Sequence, residues 1–137
     1  MNKDPATSRE RLATARVARL ATVRADGAPH VVPCCHALVG EVVYSAVDGV
    51  KPKGSLALRR LDNLRAEPRA SLLVDHYDDD WSMLWWVRID GSARLLEEGA
   101  ERGLALDALA GKYEQYAEER PPGTVIALDI TRWSAWP

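Results

Sequence analysis

Residues 44–77 read YSAVDGVKPKGSLALRRLDNLRAEPRASLLVDHY, and the order of signals in this stretch sets the kind of fold the chain can build. A strand ends near Ser45. A basic loop with glycine and proline follows, carrying Lys51 and Lys53. A short helix comes next, with Arg59, Arg60, Asp62, Asn63 and Arg65 among Leu56, Leu58, Leu61 and Leu64, whose spacing makes one apolar face. Pro68 stops the helix, and residues 70–77 read as a new strand. A strand end, a cationic loop and a helix start are the parts from which an anion site is built. The first N–H groups, near Ser55, have no intrahelical partner, and the helix dipole favours negative charge there. Lysine and arginine add charge-assisted hydrogen bonds. Arg59 and Arg60 diverge by about 100° on a helix, so at most one faces a ligand. A phosphate-bearing ligand is the expected occupant.

Upstream, VARLATVRADGAPHVVPCCHALVGEVVYSAV (residues 17–47) reads as three strands. Asp26-Gly27 and Gly40-Glu41 supply tight turns. Pro33 lies inside the second strand, residues 30–38, and a proline there marks an edge strand or a bulge. Before them, Thr7 or Ser8 is placed to cap a helix over residues 9–15. Downstream, Trp85, Val87 and Ile89 alternate with Trp86 and Arg88 in a strand over residues 83–95, where Gly91 signals a bulge or a close backbone approach. Residues 97–119 are helical, and Gly103 and Gly111 weaken that run enough to suggest two shorter helices. A last strand covers residues 125–136. Short local connections between about six strands, with helices inserted singly, imply an antiparallel barrel with peripheral helices.

The 137 residues fit one domain, 1–137, with no repeat or linker. The net charge of -2 argues against a nucleic-acid partner, so any cationic site must be local. No apolar run is long enough for a membrane span, and MNKDPATSRERLATA lacks the apolar core of a secretory signal. A cytoplasmic protein is expected. Cys34 and Cys35 are adjacent and point to opposite faces of a strand, which favours packing over a disulfide. His30 and His36, six apart on one strand, are separated by roughly 20 Å and do not share a metal. His76 among Asp75, Asp78, Asp79 and Asp80 shows no recognisable ligand spacing, and no metal site is expected. Five tryptophans occur in a chain without phenylalanine, and they are assigned to core or subunit interface. Whichever of Trp85 and Trp86 faces outward is free to stack on a ring or a partner.

Three stretches carry a family resemblance by their order and spacing: RLATVRADGAPHVVPCCHAL (residues 19–38), Arg60-Leu61-Asp62-Asn63-Leu64 followed by Pro68-Arg69-Ala70-Ser71-Leu72, and LWWVRIDGSARLLEE (residues 84–98). Together they resemble the flavin- and deazaflavin-binding split β-barrel proteins, the pyridoxamine-phosphate-oxidase-like superfamily, and within it the actinobacterial branch that binds the deazaflavin coenzyme F420. Cys35 and His36 depart from the apolar or aromatic residues of that pattern. The resemblance implies a six-stranded antiparallel split β-barrel, mainly β with peripheral helices. It implies a homodimer with two cofactor sites at the interface, F420 or alternatively FMN as cofactor, and hydride transfer from C5 or N5 of the reduced ring to a small organic acceptor. A non-catalytic carrier of the same cofactor is the other reading. By motif, phosphate-binding positions fall on Ser45, Arg60 and Asn63, and Lys51 and Lys53 are added on charge. The ring is expected along the strand with Val32, Pro33 and Cys34, near Trp85 or Trp86, with His36 as a ring or substrate contact.

Overall fold

The computed structural model describes residues 4–47 and 55–137, with backbone only for residues 55–58. In chain order the elements are α1 (Pro5–Thr14), β1 (Ala18–Val23), β2 (Pro29–Cys34), β3 (Ala37–Val39), β4 (Val42–Ala46), α2 (Ser55–Ala66), β5 (Arg69–His76), a 3₁₀ turn (Trp81–Met83), β6 (Trp85–Leu96), α3 (Ala100–Lys112), α4 (Glu114–Glu118) and β7 (Val125–Trp136). All pairings are antiparallel, in one sheet of order β2-β1-β5-β6-β7-β4-β3. The strands number seven, not six, because the run over residues 30–38 is two strands broken at Cys35-His36. The break has a geometric reason: β2 and β3 are the two edges of the sheet, yet only two residues join them. Cys34 and Ala37 can then be no more than roughly 11 Å apart. The sheet must curl until its edges meet at this corner, and a straight strand could not turn it.

Pro33 sits on β2, an edge strand as its missing N–H requires. At the β1–β2 turn Gly27 takes φ 89°, a conformation open mainly to glycine. On β6 the register shifts between Asp90 and Gly91. A Cβ on Gly91 would lie 2.1 Å from the carbonyl oxygen of Asp129, so the backbones of β6 and β7 meet there at a distance only glycine allows.

The first helix begins earlier than the expected cap at Thr7 or Ser8. Asp4 caps it, accepting from the Ala6 N–H at 3.1 Å, and Pro5 opens the first turn. The strand expected from residue 83 starts at Trp85, after the Asp80-capped 3₁₀ turn. The helical run over residues 97–119 is two helices, α3 and α4, but both glycines lie inside α3. The break is at Tyr113, whose hydroxyl is tied to Arg16 and His36.

Leu12, Leu20, Leu72, Ile89, Ile126 and Leu128 fill the barrel, each contributing roughly 1.5–3 kcal/mol by burial. Leu61 and Leu64 bring α2 against that core. A second cluster, with Tyr44, Ala105, Leu109, Tyr113, Tyr116 and Ala127, packs α3 and α4 on the outside of β3, β4 and β7. Arg94 locks this layer: it donates to Asp129 at 2.7 and 2.8 Å and to Glu101 at 2.7 and 2.8 Å, and the Tyr44 hydroxyl donates to Glu101 at 2.8 Å. No helix among the described residues is long and apolar enough to cross a membrane.

Candidate functional site

The inner face of β2 presents His30, Val32 and Cys34, opposite Thr22, Leu20 and Ala18 of β1. Over this face lies α2. Asn63 donates to the Thr22 hydroxyl at 3.0 Å and fixes the helix on β1. One turn nearer the helix start, Arg60 is half-buried and close enough to act electrostatically on both Cys34 and His30, while Arg59 is exposed. Ser45, at the end of β4, is buried beside Cys34. Arg24, just past β1, also faces His30. Burial first, then Arg24, Arg59 and Arg60, hold His30 below the usual imidazole range and therefore neutral at pH 7. Burial pushes the Cys34 thiol up, against the pull of Ser45, Arg60 and Lys112, so it is protonated and unreactive.

This cluster is short of partners. Arg24 Nε, Arg60 Nε, His30 Nδ1 and Ser45 Oγ are all buried without a well-formed hydrogen bond among the described residues. Buried donors are normally satisfied, and four such atoms in one region, around two arginines, mark a place that a polar anion would complete. Neither Arg24 nor Arg60 has a carboxylate within ion-pair distance among the described residues. Donors of this kind fit a phosphate group, and α2, which begins at Ser55, carries Arg60 to them.

A second feature lies on the outer face. An open cleft of about 610 Å³ is lined by Leu73, Asp75, His76, Tyr77, Leu84, Trp85, Trp86, Arg88 and Trp136. Trp86 is the outward-facing member of its pair: it sits opposite Asp75 and Trp136 across the strands, with the Arg88 guanidinium 5.5 Å from its ring. Trp85 points to the core side at the barrel end. Its ring stacks on His76 at 6.0 Å and is covered by the Arg11 guanidinium at 4.7 Å.

The eight residues expected from sequence therefore fall into separate places. Ser45, Arg60 and Asn63 come together, with Asn63's amide directed to Thr22. Trp85 lies at the rim of the outer cleft. Pro33 is exposed on the outer face of β2, turned away from Cys34. His36 is not on β2 at all, which overturns the same-strand spacing given for it and His30. Its ring is fully buried, with Nε2 2.7 Å from the Leu12 carbonyl oxygen, and it braces α1. Lys51 and Lys53 lie outside the described residues. Arg24 and His30 were missed as members of the cationic cluster. The hairpin turn at Asp26-Gly27, read in register, would have set Thr22 against His30 and Arg24 beside them.

A family model described as pyridoxamine 5'-phosphate oxidase matches residues 5–137. No curated protein matches the sequence. Among solved structures, a conserved hypothetical protein from Mycobacterium tuberculosis superposes with a TM-score of 0.80 at 19% identity, over 99% of this chain and 86% of that one. A FAD-binding protein from Mesorhizobium loti gives 0.73 at 24% identity, over 96% and 93%. HutZ, a heme storage protein from Vibrio cholerae, gives 0.72 at 16% identity, over 99% and 94%. At these identities the likenesses show the fold alone.

Proposed function

The chain belongs to the pyridoxamine 5'-phosphate oxidase family, and from that premise we propose that it binds a phosphate-bearing flavin or deazaflavin and passes a hydride to a small organic acceptor. F420 is the cofactor favoured by the sequence resemblance, with FMN as the alternative. One observation carries the reading: buried Arg24 Nε and Arg60 Nε, without a hydrogen-bond partner among the described residues, gathered with Ser45 and neutral His30. A cofactor phosphate supplies the acceptors these groups lack. The cofactor supplies the hydride when bound, and the chain's contribution is position and exclusion of water. Arg60 and Ser45 hold the anionic end, and Asn63 fixes α2 so that Arg60 stays over β2. The aromatic cleft offers flat apolar walls, but it lies on the outer face, away from the cationic cluster. In a homodimer the cluster of one protomer and the cleft of its partner close on one molecule, so the site is shared.

The experiment is a titration of the purified protein with F420, FMN and hemin in parallel, read by tryptophan quenching and ligand absorbance. Hemin is included because one structural neighbour is a heme storage protein and because His76 stands in an aromatic cleft. Micromolar binding of F420 in preference to FMN supports the deazaflavin reading. Preference for FMN moves the function to the flavin branch. Hemin binding alone, with neither of the others, overturns the phosphate assignment. Turnover of the bound reduced cofactor with an acceptor panel separates an enzyme from a carrier.

A further inference from the structure

Away from that site, at the corner where β2 passes to β3, two cations share one aromatic ring. The Lys112 ammonium lies 5.2 Å from the Tyr113 ring centroid, and the Arg16 guanidinium lies 4.6 Å from the same centroid. Each is held by backbone. Lys112 Nζ donates to the His36 carbonyl oxygen at 2.8 Å, and Arg16 donates to the Lys112 carbonyl oxygen at 3.1 Å. Tyr113 completes the frame, accepting from the His36 N–H at 3.1 Å and donating to the Arg16 carbonyl oxygen at 2.8 Å. Neither cation has a carboxylate within ion-pair distance among the described residues. Lys112 is half-buried and so partly desolvated.

We propose that Lys112 is a reactive amine that accepts acyl groups from acyl phosphates, with Arg16 holding the phosphate leaving group. The inference goes beyond the cofactor reading and does not depend on it. The chemistry follows from the arrangement. A half-buried amine beside a cation, with no carboxylate in ion-pair distance among the described residues, is shifted toward the neutral form in which lysine acts as a nucleophile. Burial first, then Arg16, lower the Lys112 amine to about 8. The other groups facing it are the buried neutral His36 ring, with Nε2 3.5 Å away, and Tyr113. Arg16 is exposed and uses one of its donors, which leaves the rest for an anionic reagent. In the step, Lys112 Nζ attacks the acyl carbon and forms an amide. The carbon–oxygen bond to phosphate breaks with its electron pair on phosphate, and the amine proton passes to phosphate or water. No oxidant or reductant is involved.

The test is incubation of the protein with acetyl phosphate near pH 7.5, followed by peptide mass spectrometry over time. The chain has only three other lysines, Lys3, Lys51 and Lys53, which serve as internal standards. Lys112 is expected to be acetylated at least about tenfold faster than each of them, with a rate that rises through pH 8. Arg16→Gln is expected to lower the ratio of the acetyl phosphate rate to the rate with neutral 4-nitrophenyl acetate severalfold. Modification of Lys112 no faster than the other lysines overturns the proposal on the wild-type protein alone. A rate ratio unchanged by Arg16→Gln overturns the part given to Arg16.

Discussion

Arg60 is one residue of a cationic helix, yet its surroundings separate it from the others. Arg65 is exposed and paired with Asp62 at 3.1 Å, whereas Arg60 Nε is buried without a partner among the described residues. If Arg60 holds a phosphate, Arg60→Ala should weaken FMN or F420 binding by roughly ten- to a hundredfold, because a charged hydrogen bond contributes about 1.5–3 kcal/mol. Arg65→Ala should leave it unchanged, and the same fluorescence titration compares the two. Gly91 makes a different kind of demand. Alanine there meets the Asp129 backbone oxygen, which cannot swing aside as a side chain would. Gly91→Ala should therefore cost at least the roughly 1–3 kcal/mol of an overpacked site, seen as a lower urea midpoint. An unchanged midpoint would show that β7 moves aside freely at Asp129.

At the scale of elements, α3 is docked on the sheet through Glu101. Hydrogen bonds from Arg94 first, then Tyr44, bring its carboxyl down to about 2. A carboxyl lowered on folding stabilises the fold above its unfolded value near 4.5, and that contribution is lost as pH falls from there through about 2. Acid unfolding should thus loosen α3 over this window, and Glu101→Gln should flatten it, followed by circular dichroism against pH. Buried His36, brought down to about 4 chiefly by burial, acts in the range above. Its unfolded form takes up a proton near 6.5 and its folded form resists, so stability also declines from pH 6.5 toward 4, by about 3 kcal/mol in full. Elements whose cause is local were legible in the sequence: Pro33 on an edge, the irregularity at Gly91, α2 bounded by Ser55 and Pro68, and β7 at residues 125–136. Those set by the closure of the sheet were not. The split of residues 30–38 into β2 and β3 follows from the two edges meeting. The break at Tyr113 follows from a hydroxyl held by residues about a hundred positions away. For the same reason Arg24 and His30 emerged beside Ser45 and Arg60 only once the β1–β2 register was known.

The molecule as a whole leaves two separate apolar sets on the outer face of its sheet. Val23 and Val31 stand exposed at one end of β1 and β2, the latter 61% accessible, and Tyr77 and Trp136 are exposed at the opposite end, with the Arg19–Asp75 ion pair between. The shared-site proposal gives these exposed groups a second copy as occupant. Sedimentation should show a dimer at micromolar concentration, and Val23→Asp with Val31→Asp should yield a folded monomer that no longer binds cofactor. A wild-type monomer would leave the shared site without support. The strand order carries one more consequence. Among the described residues β7 alone links β6 to β4, so without it the sheet is two pieces, β2-β1-β5-β6 and the β3–β4 hairpin. A lone two-stranded hairpin is marginal in water. A chain truncated after Pro122 should therefore lack fixed tertiary structure, with its near-ultraviolet circular dichroism lost. On the ribosome, the hairpin of residues 37–46 is made well before β7 and must wait for the strand that fastens it.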